Sequence, residues 1–233
     1  MSAGRTARER VRAELVREIT ELARRQLATA GAAGLSLRAV AREMGMVSSA
    51  IYRYFPSRDD LLTALIIDGY NAVGDAVERA DAEAGAGDFA GRWLAVCGAV
   101  REWALAHPHE YALLYGSPVP GYEAPEDTVP AALRDTVVLV RIVDAAHAAD
   151  ALDPAGPCPA APPALAGDMA RVRAHIPMEL PDDALARALT AWAGLYGTVS
   201  FELFGQFTNV IDARAAYFDH TMTLLGRLVG FQP

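Results

Sequence analysis

Cysteine is scarce in this sequence, and its apolar residues never form a long uninterrupted run. Two cysteines in 233 residues are too few for a disulfide framework or for a metal site of their own. No apolar run approaches the roughly 18 residues of a transmembrane helix. The first residues lead into Arg-rich polar sequence, without the apolar core of a signal peptide. We therefore expect a soluble, cytoplasmic protein without a membrane partner.

Motifs for nucleotide binding, acyl transfer and metal-dependent hydrolysis are also missing. The sequence contains no Gly-x-Gly-x-x-Gly, Gly-x-x-x-x-Gly-Lys, Gly-x-Ser-x-Gly or His-Glu-x-x-His. We expect no enzyme activity, no cofactor and no metal. Two rival classes stay open at this point, a helical enzyme that binds a cofactor and an adaptor whose helices bind other helices.

Lysine is absent, and the 21 basic residues, all arginine, are unevenly distributed. Residues 1–58 contain 11 arginines against 5 acidic residues, a net charge of +6, whereas the rest of the chain contains 10 against 24, a net charge of −14. Such asymmetry suits a protein whose first segment meets a polyanion. An ordinary solvated helix surface is the alternative explanation.

Hydrophobic periodicity predicts an all-α fold. Hydrophobic residues make up 52% of the chain, enough for a sizeable core, and nearly every segment repeats its apolar residues at helical spacing without strand-like alternation. A first helix is predicted from an apolar stripe, and Gly31 and Gly34 are expected to end it. The stripe consists of Val11, Leu15, Ile19, Leu22, Ala23 and Leu27.

Two short helices then follow in close succession. Ser36 is a good N-cap for the first, whose apolar residues Leu37, Val40, Ala41 and Met44 fall at i, i+3, i+4 and i+7 before Gly45. The second is predicted to bury Val47, Ala50, Ile51 and Tyr54 and to end at Phe55-Pro56. Helices joined so tightly must cross steeply, which is a helix-turn-helix.

The second of these helices presents a short polar face without acidic residues. Small hydroxyl groups there could enter a DNA major groove, while a tyrosine and an arginine one turn later reach the backbone. Flanking arginines and the preceding N-cap add contacts to phosphate. The predicted DNA-binding residues are Ser36, Arg38, Val47, Ser48, Ser49, Tyr52, Arg53 and Arg58.

The segment LSLRAVAREMGMVSSAIYRYFPSRDDLLTALI resembles the N-terminal DNA-binding domain of the TetR family of repressors. The resemblance covers residues 8 to about 70, and it implies a homodimer on double-stranded operator DNA that a small-molecule effector releases. Two positions depart from the family pattern. Val47 stands where Ser or Thr is usual, so capping is expected to shift to Ser48, and Arg58 replaces the usual Lys before the fourth helix.

The rest of the chain is predicted to form a helical bundle. A helix capped by Ser57 is expected to run to about residue 83, followed by helices at about 88–107, 109–115, 130–149, 164–175, 182–206 and 212–229. The Pro-rich segments 117–128 and 150–163 are predicted loops. We therefore divide the chain into a helix-turn-helix domain, residues 1–58, and a sensor and dimerisation domain, residues 59–233.

The segment LTAWAGLYGTVSFELFGQF resembles a TetR sensor subfamily with a Trp-His-Gly-like signature, here with Tyr196 in place of His. This resemblance implies that helices 182–206 and 212–229 form the dimer interface. A broad apolar face with interspersed glycines agrees with it, although the same face could be plain core. The candidate interface residues are Leu189, Gly197, Val199, Leu203 and Leu225.

Aromatic residues of the second domain are candidates for an effector pocket, since small-molecule sites are mostly apolar. Each of them could equally belong to the core. The candidates are Trp93, Trp103, Tyr111, Tyr115, Trp192 and Tyr196, with His107, His109, His175 and Glu202 as polar contacts.

Overall fold

The computed structural model of the chain describes residues 7–153 and 158–232. The α-helices there are α1 (Ala7–Ala30), α2 (Leu37–Glu43), α3 (Ser48–Ile51), α4 (Arg58–Glu83), α5 (Phe89–Ala106), α6 (Pro108–Tyr115), α7 (Val129–Ala132), α8 (Arg134–Ala148), α9 (Ala166–His175), α10 (Asp182–Leu203) and α11 (Arg214–Val229). Within these ranges, β-type pairing is limited to one isolated antiparallel bridge, between Leu152 and Phe231. The predicted all-α fold is confirmed.

The chain divides into two compact units. One extends to Gly69 and also includes His107–Val129, and the other comprises Tyr70–Ala106 and resumes at Pro130. Helix α4 begins in the first unit and ends in the second. The first six residues of the predicted domain 1–58 lie outside the described residues, and the boundary at residue 58 stays a prediction.

Local capping signals shape the first unit. The side chain of Ser36 accepts a hydrogen bond from the Ala39 amide at 3.3 Å, as predicted for the start of α2. Gly45 adopts a left-handed φ of 66°, which glycine adopts without strain, and ends the helix. The amides of Gly45 and Met46 donate to the carbonyls of Arg42 and Ala41 at 3.1 and 2.9 Å, which is a Schellman motif.

The exposed ends of the first unit differ from the sequence prediction. Val11 is exposed, because the first turns of α1 extend beyond the apolar core that begins at Ile19. Helix α3 is a single turn, and Tyr54 lies in the turn that follows it. Val47, predicted to be buried, is 72% exposed. It is also the N-cap residue of α3, so the expected shift of the cap to Ser48 is wrong.

Helix α4 starts and ends as predicted. The hydroxyl oxygen of Ser57 accepts a hydrogen bond from the Asp60 amide at 3.1 Å, so Ser57 caps the helix. Within the first unit, Arg24 of α1 holds two helices by ion pairs, to Asp68 of α4 at 2.9 Å and to Glu110 of α6 at 3.1 Å. These contacts fix α4 and α6 against α1.

The second unit is a helical bundle in which α5 packs against α8, α10 and α11. The helix predicted at 130–149 is interrupted at Leu133, which separates α7 from α8. The helix predicted to reach residue 206 ends at Leu203, and the last helix begins at Arg214 rather than 212. The remaining ends agree within about two residues, the uncertainty expected for helix boundaries.

The two predicted loops contain short helical turns. Residues 117–128 end in a 3₁₀ turn, Glu126–Thr128, and the hydroxyl of Tyr122 lies 2.8 Å from that of Thr63 on α4. Of the second loop, 150–163, residues 154–157 lie outside the described residues, and a 3₁₀ turn at Pro163–Leu165 leads into α9.

Candidate functional site

The exposed surface of α3 and its following turn gathers the predicted recognition residues. Ile51 is fully buried and anchors this element. Val47, Ser48, Ser49, Tyr52 and Arg53 are all exposed. The structure therefore brings small hydroxyls, one apolar side chain, one phenol and one guanidinium together on one surface, without a carboxylate among them.

Arg12 of α1 holds the turn after α3 in place. Both terminal guanidinium nitrogens donate to the carbonyl oxygen of Arg53 at 3.3 Å, and the guanidinium carbon lies 5.2 Å from the centroid of the Tyr54 ring. This role was not predicted, because the sequence around Arg12 is that of any arginine on the polar face of α1. The contact joins residues 41 positions apart, and no local pattern indicates it.

The flanking residues predicted to contact phosphate differ in their environment. Arg38 and Arg42 are exposed on α2. Arg58 is partly buried and donates to the carbonyl oxygen of Ala32 at 2.7 Å, so it also holds the start of α4 against the 3₁₀ turn Ala32–Gly34 that follows α1. The Ser36 amide donates to Gln26 at 3.0 Å, which ties the start of α2 to α1.

The six candidate pocket aromatics do not form one cluster. Tyr111 and Tyr115 belong to the first unit, where their ring centroids lie 4.9 Å apart. In the second unit, Trp93 is buried and its ring nitrogen donates to the Met222 carbonyl at 2.9 Å. Trp103 of α5 is also buried, whereas Trp192 of α10 is 38% exposed.

Two adjoining depressions lie in the second unit, one lined by α5, α8 and α10 and the other mainly by α8, α9 and α10. The first is a narrow apolar cleft of about 20 Å³ between Trp93 and Trp192. The second is an open groove of about 580 Å³, which we call the α8–α9 groove. Its walls are Ala132, Leu133, Thr136, Asp168, Arg171, Val172, His175, Ile176, Leu189 and Trp192. Thr136, Leu189 and Trp192 line both, so the two depressions adjoin.

A buried polar cluster lies at the start of α8. Asp135 is almost fully buried, and it accepts hydrogen bonds from the hydroxyl of Tyr196 and, at 2.6 Å, from the amide of Thr136. Burial, followed by the negative charge of Asp135, raises the pKa of Tyr70 above its ordinary value. Tyr196 therefore links α10 to α8 through a polar contact and does not line the α8–α9 groove.

Helices α10 and α11 expose a row of large apolar side chains. Phe201 is 52% and Leu224 49% exposed, and Tyr217 is exposed between them in the sequence. A methyl group added at Gly197 would meet no atom within 4 Å, so this part of α10 is open to close approach. We call Gly197, Phe201, Tyr217 and Leu224 the α10–α11 face.

The predicted interface residues only partly coincide with this face. Val199 is fully buried within the chain, so it lies beneath this surface, and its role at an interface stays a prediction. Leu225 packs against Gly194, where an added methyl would lie 2.7 Å from its side chain. Leu189 and Leu203 are half-buried. Phe201, Tyr217 and Leu224 were not predicted at an interface, although the spacing of Gly197 and Phe201, and of Tyr217 and Leu224, could have indicated one face on each helix.

The other candidate polar residues have separate roles. His175 lines the α8–α9 groove. Glu202 forms a bidentate ion pair with Arg101, in which the carboxylate accepts hydrogen bonds at 2.8 and 2.7 Å. His107 and His109 belong to the first unit. In the described part of the chain, no three His, Cys, Asp or Glu side chains are grouped as metal ligands. No helix within it is long and apolar enough to cross a bilayer.

Both parts of the chain match family models. Residues 19–65 match bacterial regulatory proteins of the tetR family, and residues 93–225 match the tetracyclin repressor-like C-terminal domain. The first match contains α2 and α3, and the second contains the α8–α9 groove and the α10–α11 face. The two matches cover the exposed surfaces described above.

Known proteins resemble the chain over nearly its whole length. The HTH-type transcriptional regulator Rv1816 of Mycobacterium tuberculosis is 41% identical over 227 residues, which cover 95% of this chain and 93% of the relative. Among solved structures, the regulatory protein SCO4313 superposes with a TM-score of 0.78 at 38% identity, over 94% of this chain and 98% of that one. A protein from Rhodococcus sp. RHA1 superposes with a TM-score of 0.68 at 29% identity, over 92% and 93%.

These similarities agree with the geometry of the first unit. The Mycobacterium tuberculosis relative is an HTH-type transcriptional regulator, and the matched family is one of transcriptional regulators rather than enzymes. The chain belongs to the TetR family of bacterial transcriptional regulators.

Proposed function

We propose that the protein is a repressor that binds a palindromic operator as a homodimer and is released from it by a small apolar or aromatic effector. The observation that carries this proposal is the exposed surface of α3, which combines hydroxyl groups, a phenol and a guanidinium with one apolar side chain and contains no carboxylate. Family membership supports the operator, and the groove and exposed face of the second unit support the effector and the dimer.

The α3 surface suggests how bases are read. Ser48 and Ser49 can hydrogen-bond to base edges or phosphates, and the exposed methyl groups of Val47 suit contact with a thymine methyl in the major groove. Tyr52 and Arg53 follow in the turn, where they are placed to contact the backbone. Val47 replaces the usual hydroxyl residue at this position, so we expect one apolar contact per half-site in place of a hydrogen bond.

The α10–α11 face supports the homodimer. Its large exposed apolar side chains are candidates for a contact surface, and the same face on two copies would form a symmetric pair. Gly197 lies open within it, so a helix of the second copy could approach closely. A twofold dimer would place two α3 surfaces about 34 Å apart, one turn of DNA.

The α8–α9 groove supports the effector site. Its walls are mostly apolar, with Trp192 beside the narrow cleft and Arg171 and His175 at the rim. A groove of about 580 Å³ falls within the usual size of small-molecule sites. We propose that an apolar or aromatic group of the effector packs against Trp192.

The Trp-His-Gly-like signature also finds a structural counterpart. Tyr196 occupies the position of the usual histidine and donates a hydrogen bond to the buried Asp135. A histidine ring nitrogen is also a donor, so Tyr196 retains the hydrogen-bonding capacity of that position. This agrees with membership of that sensor subfamily.

Selection of DNA from a random pool, followed by a ligand screen, tests the proposal. We expect the selected sequences to be palindromic, and we expect ligands that raise the thermal midpoint to lower affinity for the selected DNA. A protein that selects only non-palindromic DNA would contradict the homodimer. A Trp192→Ala variant that responds normally to every ligand found would contradict the groove assignment.

A further inference from the structure

The ionisable side chains of the α8–α9 groove all come from one helix. Asp168, Arg171 and His175 line it from α9 at positions i, i+3 and i+7, so they share one face of that helix. From α10, Leu189 and Trp192 supply an apolar wall, and Trp192 is exposed. The groove therefore has a polar side and an apolar side, and a molecule that uses both must itself be amphipathic.

The guanidinium of Arg171 can bind more than the carboxylate beside it. One terminal nitrogen of Arg171 donates to Asp168, and both side chains are exposed. An arginine has five N–H donors, and exposed ion pairs contribute little to stability. A second carboxylate can therefore bind Arg171 next to Asp168 or displace it.

His175 is oriented by a hydrogen bond within α9. Its Nδ1 lies 2.9 Å from the carbonyl oxygen of Arg171. A carbonyl oxygen only accepts hydrogen bonds, so Nδ1 is the donor, and Nε2 is the ring nitrogen through which His175 can contact an occupant. A protonated ring also donates from Nε2, and a charged donor of this kind suits an anionic acceptor.

The charges of the groove favour an anion over a cation. Asp168 is the one acidic residue among the walls described above, and Arg171 already balances its charge. A cation at Asp168 would have to compete with Arg171, whereas an anion gains an attraction to Arg171 and meets the imidazole of His175. Repulsion from Asp168 reduces this gain without cancelling it, because the anion can take the place of Asp168 on the guanidinium.

We propose that the occupant of the α8–α9 groove is an amphipathic acid, a carboxylate carried on an aromatic or aliphatic body. The carboxylate binds the guanidinium of Arg171, and the body packs against Leu189 and Trp192. A groove of about 580 Å³ has room for such a molecule. This assignment rests on the proposed function in taking the groove as the effector site, and it narrows the effector from any small apolar or aromatic molecule to an acid.

Three naphthalene probes test the sign of the charge. The probes 2-naphthoate, 2-naphthylmethanol and 2-naphthylmethylammonium share one apolar body and differ in the polar group. Isothermal titration calorimetry with the full chain gives a Kd for each. We expect the acid to bind about tenfold more tightly than the alcohol, and the ammonium to bind more weakly than the alcohol. Equal affinities, tighter binding of the ammonium, or no binding of the acid at about 1 mM would overturn the proposal.

Substitutions on α9 assign the preference to the groove. We expect Arg171→Gln to remove the preference for the acid and to leave the affinity for the alcohol unchanged. The matched control is Arg141→Gln, because Arg141 of α8 is exposed and lies outside the groove walls; this variant should keep the preference. Asp168→Asn should strengthen binding of the acid about threefold, because a like charge is removed. An Arg171→Gln variant that keeps the preference would overturn the proposal.

Trp192→Ala tests the apolar side of the groove. We expect it to weaken all three probes by a similar factor and to preserve the preference for the acid, and unchanged binding of all three would overturn the assignment. The probes are measured without DNA. Acid binding that left DNA affinity unaltered would refute the proposed effector function and leave the acid site standing. Effectors that release DNA from Arg171→Gln as they do from the parent would refute the acid site alone.

Discussion

Replacement of Phe201 by alanine should dissociate the proposed dimer. A phenylalanine side chain has about 200 Å² of accessible surface, and Phe201 keeps 52% of it exposed. Burial of this exposed area, ~100 Å², against a second copy contributes about 2.5 kcal/mol to the free energy of dimerisation per side chain. A symmetric dimer contains the contact twice, which gives about 5 kcal/mol before ordering costs reduce it. We expect the dimer Kd to rise roughly a hundredfold to a thousandfold.

Sedimentation equilibrium measures this change directly. The matched control is Leu94→Ala on α5, which removes an aliphatic side chain that is 41% exposed outside the α10–α11 face, and we expect its Kd to stay within about twofold of the parent. Circular dichroism should show unchanged helix content in both variants. A Phe201→Ala protein that dimerises like the parent would refute the assignment of the face.

Three further substitutions test single contacts. Arg12→Ala should weaken DNA binding about tenfold in fluorescence anisotropy with little change in thermal midpoint, because it loosens only the exposed turn after α3. Gly197→Ala should stabilise the fold by about 0.5–1 kcal/mol in urea unfolding because alanine favours the helix, whereas Gly194→Ala should gain less because the end of the Leu225 side chain must move to admit the methyl; equal effects would contradict the packing described. Glu202→Gln should lower the free energy of unfolding by about 1–2 kcal/mol, because it removes the carboxylate charge that pairs with the partly buried Arg101, and a loss below about 0.5 kcal/mol would show that the pair contributes little.

Local chemistry explains which parts of the fold could be predicted from the sequence. Ser36 and Ser57 cap helices because a hydroxyl ahead of an apolar repeat satisfies free amides, and Gly45 ends α2 because it adopts a left-handed φ. These signals lie within a few residues of the element that they define. Together with the helical spacing of apolar residues, they were sufficient for the all-α fold and the helix-turn-helix.

Long-range contacts account for what the sequence did not reveal. Val47 fits the apolar repeat of α3, but that helix lasts only one turn, and Val47 is its exposed N-cap, outside the core. Arg12 and Arg101 act on residues far away in the chain, and nothing in their neighbourhoods distinguishes them from other arginines. The aromatic residues could not be sorted into core and groove from composition, since Trp93 and Trp192 have similar helical surroundings.

The salt dependence of DNA binding tests the central claim, that the α3 region binds operator DNA. Three exposed arginines per subunit, Arg38, Arg42 and Arg53, correspond to roughly six phosphate contacts per dimer. They predict a slope of log K against log salt of about −5 between about 50 and 200 mM salt. Arg53→Ala should reduce the magnitude of this slope by about 2 on the selected palindrome. A slope near zero, or an unchanged slope for Arg53→Ala, would contradict the account.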